Sequence, residues 1–389
     1  MKNEPKIRIK GFEGEWKEYS FNNLFSLVSD YKSNIGNKTD YQEEGKYPII
    51  DQSKEYIVGY TNEDNPIIPD NGIIVFGDHT REIKYIDFPF YTGADGTKLL
   101  HCQESVFPLF GYYSCCSQRI PNTGYNRHYK FLKEADYIIP SLTEQRAIAT
   151  YFRHIDSLME SADKKVASLK QVKEASLQSM FPKEGQKVPE VRFKGFEGEW
   201  KNCILSDIAT FSKGHGYSKN DLTNEKDATP IILYGRMYTK YESIITRVET
   251  FANLLPNSVL SEGHEVIVPG SGETAEDISV ASAICTKGII IGGDLNILKP
   301  KEGIFAPFLA LNITYSHAHY ELSTKAQGKT IVHLHNDDFK DVHVSCPSLP
   351  EQRKIASFFV HIDKQIAIAQ QRLDLLRRIK SACLNEMFV

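Results

Sequence analysis

The strongest constraint on this chain is an internal duplication. The segment Arg8-Ile9-Lys10-Gly11-Phe12-Glu13-Gly14-Glu15-Trp16-Lys17 recurs as Arg192-Phe193-Lys194-Gly195-Phe196-Glu197-Gly198-Glu199-Trp200-Lys201, a shift of 184 with nine of ten residues identical. A second match lies at a shift of 207, where Pro140-Ser141-Leu142-Thr143-Glu144-Gln145-Arg146 answers Pro347-Ser348-Leu349-Pro350-Glu351-Gln352-Arg353. The ends of each half repeat while the middles diverge, and the shifts differ by 23 residues. One framework has been copied, and each copy carries its own insert.

The segments after residues 140 and 347 read as long helices. Ser141 with Glu144, and Ser348 with Glu351, fit a capping box, in which each side chain satisfies a backbone N–H at the helix start. Downstream, Ile148, Phe152, Ile155, Met159, Ala162, Val166 and Leu169 fall at alternating steps of four and three, and Ile355, Phe359, Ile362, Ile366, Ala369, Leu373 and Leu376 repeat the pattern. That spacing is a heptad seam, for which the other copy is the obvious partner. The alternative is a pair of amphipathic helices, each packed on its own domain. About 38 residues make roughly 57 Å of helix at about 1.5 Å per residue. Between Phe181 and Pro189 two prolines and a glycine form a connector. Domain boundaries follow at residues 1–139, 140–182, 183–191, 192–346 and 347–389.

The middles, residues 18–139 and 202–346, read as mixed strand and loop, with runs such as Tyr47-Pro48-Ile49-Ile50, Gly72-Ile73-Ile74-Val75-Phe76 and Gly288-Ile289-Ile290-Ile291-Gly292. Several loops collect side chains that pair with base edges or phosphate: residues 77–81, 92–96 and 122–128 in the first half, 270–274 and 325–333 in the second. Candidate contacts are Arg81, Asn126, Arg127 and His128, then Ser271, Lys325, Gln327, Lys329 and His333.

Other chemistries are poorly served. Gly328-Lys329-Thr330 would need glycine at Ser323 to close a phosphate-binding loop. Asp70, Glu82 and Lys84 resemble the acids and lysine of a metal-dependent nuclease, but the second half has no counterpart. His317 with His319, and His333 with His335, lack an obvious third zinc ligand. The seven cysteines show no C-x-x-C and are expected to be reduced, buried or half-buried side chains. The chain begins without a secretion signal and has no run of about 20 apolar residues, so a cytoplasmic location without membrane contact is expected.

The duplicated Gly-Phe-Glu-Gly-Glu-Trp, the duplicated Pro-Ser-Leu-x-Glu-Gln-Arg followed by Ile148-Ala149 and Phe152 or Ile355-Ala356 and Phe359, and the heptad helices closing each half together resemble the specificity subunits of type I restriction-modification enzymes. The resemblance covers essentially the whole chain. It implies an α+β fold with pseudo-twofold symmetry, in which two mixed target-recognition domains are separated by two long antiparallel helices. It implies a non-catalytic protein in which each domain reads one half of a bipartite double-stranded DNA target. It also implies two methyltransferase subunits carrying S-adenosylmethionine docked on the frame, joined by restriction subunits that use ATP and Mg to translocate and cleave DNA, with no cofactor in this chain. Two other functions remain open on the residues alone: a single-chain nuclease, and a coiled-coil adaptor that never touches DNA.

Charge qualifies the DNA reading. The formal net charge is -4; residues 140–182 carry +1 and residues 347–389 carry +3, which leaves -8 on the other 303 residues. Phosphate neutralisation supplies most non-specific affinity, so the chain by itself is expected to bind DNA weakly at physiological salt.

Overall fold

The computed structural model describes residues 3–28, 34–35, 40–93, 96–225 and 227–389. The chain divides into two compact units, one of Met1–Lys164 with Gln370–Val389, the other of Lys165–Ala369. The two long helices, Leu142–Ser179 and Leu349–Glu386, have 38 residues each. Each passes from one unit to the other, so each unit owns the start of one helix and the end of the other.

Within unit 1 a four-stranded antiparallel sheet runs in the order Phe25–Leu27, Thr97–Cys102, Ile73–Gly77, Ile83–Ile86. Its central strand Ile73–Gly77 is buried throughout, which explains the unbroken apolar run. A second sheet has the order Asn34–Ile35, Tyr91–Gly93, Tyr47–Ile50, Gly59–Thr61, with parallel pairings around Tyr91–Gly93. Unit 2 repeats the plan. Its five-stranded sheet runs Ala209–Lys213, Leu295–Pro300, Glu265–Pro269, Ser282–Ile284, Ile244–Ile245, and a four-stranded sheet contains Thr229–Ile232 beside Ile290–Ile291. It also carries helix His317–Lys325 and a three-stranded sheet of Ser271–Gly272, Val332–His333 and Gln327–Gly328. These have no counterpart among the described residues of unit 1 and take up part of the 23-residue excess.

Both repeated motifs close on each other inside each unit. The Arg8 guanidinium donates Nε and Nη2 to the two carboxylate oxygens of Glu144 at 2.8 Å each, and Nη1 to the Gly14 carbonyl at 2.7 Å. Arg192 does the same to Glu351 at 2.7 and 2.8 Å and to Gly198 at 2.6 Å. The next residue braces the sheet domain: Gln145 accepts from the Phe107 N–H and donates to the Ser105 and Pro140 carbonyls, as Gln352 accepts from Phe305 and donates to Gly303 and Pro347. The third, Arg146 or Arg353, lies over the ring of Phe107 or Phe305. The capping-box reading is therefore corrected. The Ser141 hydroxyl accepts from the Glu144 N–H at 3.4 Å, but the glutamate carboxylates are turned to the arginines.

The seam residues Ile148, Phe152, Ile155, Val166, Ile355, Phe359, Ile362 and Leu373 are buried, and Met159, Leu169, Ile366 and Leu376 are half-buried. In unit 1 Phe152 and Phe110 pack on Phe388, and Asp156 pairs with Lys380 at 2.6 Å. In unit 2 Phe359 and Phe308 pack on Phe181, and Asp363 pairs with Lys173 at 2.6 Å. The helix segments within each unit therefore run antiparallel. Ile148 and Phe152 also enter the core of unit 1, and Ile355, Phe359 and Ile362 that of unit 2, so the first turns of each seam pack on their own domain as well. The connector is closed at its base: the Val191 N–H donates to the Ser179 carbonyl at 2.9 Å and the Trp200 N–H to Lys187 at 2.8 Å. In unit 1 Ile7 bonds to Glu386 and Trp16 to Asn3 in the same way.

All seven cysteines are free, as read, although Cys285 is exposed where a buried or half-buried side chain was expected. Among the described residues no helix is long and apolar enough to cross a membrane.

Candidate nucleic-acid interface

In unit 1 three loops meet where strands Tyr47–Ile50 and Ile73–Gly77 end. Asp78, only 2% exposed, ties them together. Its carboxylate accepts from the Tyr129 N–H at 2.8 Å, and its carbonyl accepts from the His128 N–H at 2.7 Å. His128 is wholly buried, with Nδ1 3.0 Å from the Asp78 carbonyl and Nε2 3.3 Å from the Thr123 N–H. A carbonyl can only accept, so Nδ1 carries the proton and Nε2 is the acceptor. The expected DNA contact at His128 is therefore corrected. The residue holds the loop of residues 122–128 from inside and presents nothing to solvent.

The other first-half candidates are at the surface. Asn126 is exposed, with Nδ2 on the Thr123 carbonyl at 2.5 Å, and Arg127 is exposed beside it. Arg81 sits half-buried at φ 65° with Nη1 3.5 Å from the Ile120 carbonyl. The structure adds three residues to them. Gln52 accepts from the His79 N–H at 3.2 Å, and the His79 ring stacks on Tyr125 at 4.6 Å and 8°. Gly96, at φ +90°, admits this arrangement, since a Cβ there would stand 2.7 Å from Gln52 and 2.9 Å from His79. Ala94 and Asp95, part of the loop at residues 92–96, lie outside the described residues.

In unit 2 strand pairing draws three of the candidates together. Ser271 and Gln327 both stand opposite His333 in the three-stranded sheet, and the Ser271 hydroxyl lies 3.1 Å from His333 Nδ1. Lys329 is exposed in the turn of the hairpin, and Lys325 closes helix His317–Lys325. A cavity of about 1340 Å³ opens beside them, lined by Tyr234, Tyr238, Ser271, Thr274, Asp294 and His333 among others. The Tyr238 hydroxyl donates to the Ser271 carbonyl at 2.5 Å. Burial first, with Asp294 and Asp277 nearby, pushes the Tyr238 phenol up, so it stays a neutral donor. Underneath, the buried Asn296 amide donates to the Pro269 and Leu334 carbonyls, which fixes both strands.

Gln52 and Tyr234 were legible in principle. Each stands two residues after an x-Pro-Ile-Ile strand, Tyr47–Ile50 or Thr229–Ile232, and each of these strands lies between one parallel and one antiparallel neighbour. His79 and Tyr125 had no such signal, because only their meeting makes them notable.

The nuclease-like trio does not form a site. Lys84 is buried and donates to the Asp51 and Glu55 carbonyls at 2.8 and 2.5 Å, and desolvation lowers its pKa. Among the described residues one group has metal-ligand spacing, Glu262, His264 and Glu265. The Glu265 carboxylate is already occupied by three backbone N–H groups, of Glu262, Gly263 and His264. His319 Nδ1 lies on the Ser279 carbonyl and His317 faces Glu321.

Known proteins share this organisation. The family profile described as type I restriction modification DNA specificity domain matches twice, over residues 13–171 and 197–378. The chain is 20% identical to the type I restriction enzyme MjaVIII specificity subunit of Methanocaldococcus jannaschii, over 95% of this chain and 91% of that protein. Its fold is similar to the solved type I restriction-modification S subunit of M. genitalium, with TM-score 0.64 and 17% identity over 99% of each chain. It is also similar, at TM-score 0.52 and 13% identity over 96% of this chain and 97% of the other, to a chain from a structural study of assembly and conformational transition in a type I R-M system.

Proposed function

Because this chain belongs to the type I restriction-modification DNA specificity family, whose specificity subunits recognise the target and are not themselves catalytic, we propose that each unit reads one half of a bipartite target through its own converging loops. The observation that carries this reading is the contrast between frame and loops. The Arg8–Glu144 and Arg192–Glu351 clips match nearly atom for atom, while the loops they support offer different chemistry. Unit 1 presents Arg81, Asn126 and Arg127 around an aromatic stack. Unit 2 presents Gln327, Lys329 and His333 on a hairpin beside a cavity, with Ser271 on the strand paired to it and Lys325 at its base. Amide and guanidinium groups pair with purine edges in the major groove, and lysines with phosphate.

The family acts with DNA and with other subunits of a complex. In our reading those subunits are two methyltransferases, which bring S-adenosylmethionine and dock on the frame of repeated motifs and long helices, and restriction subunits, which bring ATP and Mg. The assembly works in the cytoplasm. The surplus of acid outside the long helices supports this division of labour, because the partners then supply much of the grip on phosphate.

Exchanging residues 18–139 for those of a relative tests the proposal. Methylation mapping of the assembled complex should show one half of the target changed and the other intact. A change in both halves, or in neither, would reject autonomous reading by the two units.

A further inference from the structure

Tyr125 is 87% exposed, more than any other large apolar side chain among the described residues. It is nonetheless not loose. One face of the ring lies on His79 at 4.6 Å and 8°. His79 is held in turn by its N–H on Gln52, and the loop that carries Tyr125 is anchored by buried His128 on Asp78. The molecule thus fixes an aromatic ring and leaves its second face to water, which forgoes the burial such a ring normally gains.

We propose that Tyr125, backed by His79, is a wedge that stacks its free face on a base of the half-site read by unit 1. The inference rests on the DNA-reading function above. Every base has a π-face, so stacking contributes affinity whatever the sequence, and a ring fixed in advance loses little entropy on binding. A base can receive the ring only where its own step opens, which favours steps that unstack easily. The flanks point to nucleic acid. Asn122, Thr123, Gly124, Asn126 and Arg127 are all exposed and polar or small, whereas an anchor for another protein sits within a ring of near-neutral contacts that exclude water. The corresponding loop of unit 2, which also precedes the last short helix of its domain, exposes the aliphatic Ile331 in place of a ring. His79 acts as a positioning residue, orienting the ring that touches DNA.

The test uses the assembled complex and duplexes in which 2-aminopurine replaces each base of the first half-site in turn. With the unaltered chain, emission should change on binding at one position, where the ring displaces a neighbour. Tyr125→Phe should retain that change. Tyr125→Ala should abolish it and weaken binding about tenfold, and His79→Ala should diminish it. The second half-site should be unaffected in every variant. Because the side chain is almost fully exposed, Tyr125→Ala should fold normally, which its melting temperature would verify. An emission pattern and affinity in Tyr125→Ala identical to the unaltered chain would overturn the wedge while leaving the recognition function standing. A complex that methylates no bipartite site at all would overturn both.

Discussion

Arg8 and Glu144, 136 residues apart in the chain, are joined by two bonds of 2.8 Å, and Arg192 and Glu351 reproduce the arrangement across 159 residues. The glutamate side chains are 3% and 1% exposed, so each clip is a nearly desolvated bidentate pair that ties the start of a domain to the start of its helix. Such a pair adds geometric specificity as well as energy. Removing one partner strands the other charge. We expect Arg8→Ala to destabilise unit 1 by about 3 kcal/mol and Arg192→Ala to do the same in unit 2. A chemical-denaturation double-mutant cycle with Glu144→Ala checks this; a coupling near zero would show that the clip is only a surface pair.

His128 and Asn126 sit two residues apart in the same loop but should fail differently. His128→Ala removes a buried group with bonds at both nitrogens and should cost about 1–3 kcal/mol, with reading of the first half-site lost as a whole. Asn126→Ala should leave the melting temperature unchanged and relax discrimination at one base pair by about 1–3 kcal/mol. Methylation mapping beside thermal melts separates the two. Equal loss of stability in both variants would contradict the distinction.

The gap between half-sites should respond to helix length and not to the connector. The connector follows the first long helix, between Phe181 and Pro189. The Val191–Ser179 bond closes that segment at its base, so residues added at 183–187 should bulge outward and leave the target unchanged. Adding one heptad to each long helix, near Lys164 and near Ala369, keeps the seam in register and adds about 10 Å at roughly 1.5 Å per residue. That corresponds to about three base pairs at roughly 3.4 Å each. Mapped targets should show the gap longer by that amount and both half-sites intact; an altered half-site would count against a spacer role.

DNA affinity of the isolated chain should be weak near physiological salt. Outside the two long-helix segments the chain carries a net -8, derived from the total of -4, so few phosphates are neutralised. Titration across salt concentrations should give a shallow slope for the chain alone and a steep one for the complex. Tight binding by the chain alone with a steep slope would contradict the shared clamp.

What the sequence by itself determined is whatever depends on local periodicity or on identity between the halves. The heptad spacing places Ile148, Phe152, Ile355 and Phe359 on one face because helical geometry repeats every few residues, and the long helices were legible for that reason. Duplication was visible as identity, and it foretold two like units before any strand was assigned.

The rest depended on pairings between distant segments. Ser141 and Glu144 carry the local pattern of a capping box, and no property of that pattern reveals that Arg8 claims the carboxylate. His128 looks like any loop histidine until strand Ile73–Gly77 brings Asp78 against it, 50 residues away. Tyr125 and His79 become a single stacked surface only because two loops converge over Gly96. In each case a group's partner, and so its function, was set by long-range packing that a linear pattern does not encode.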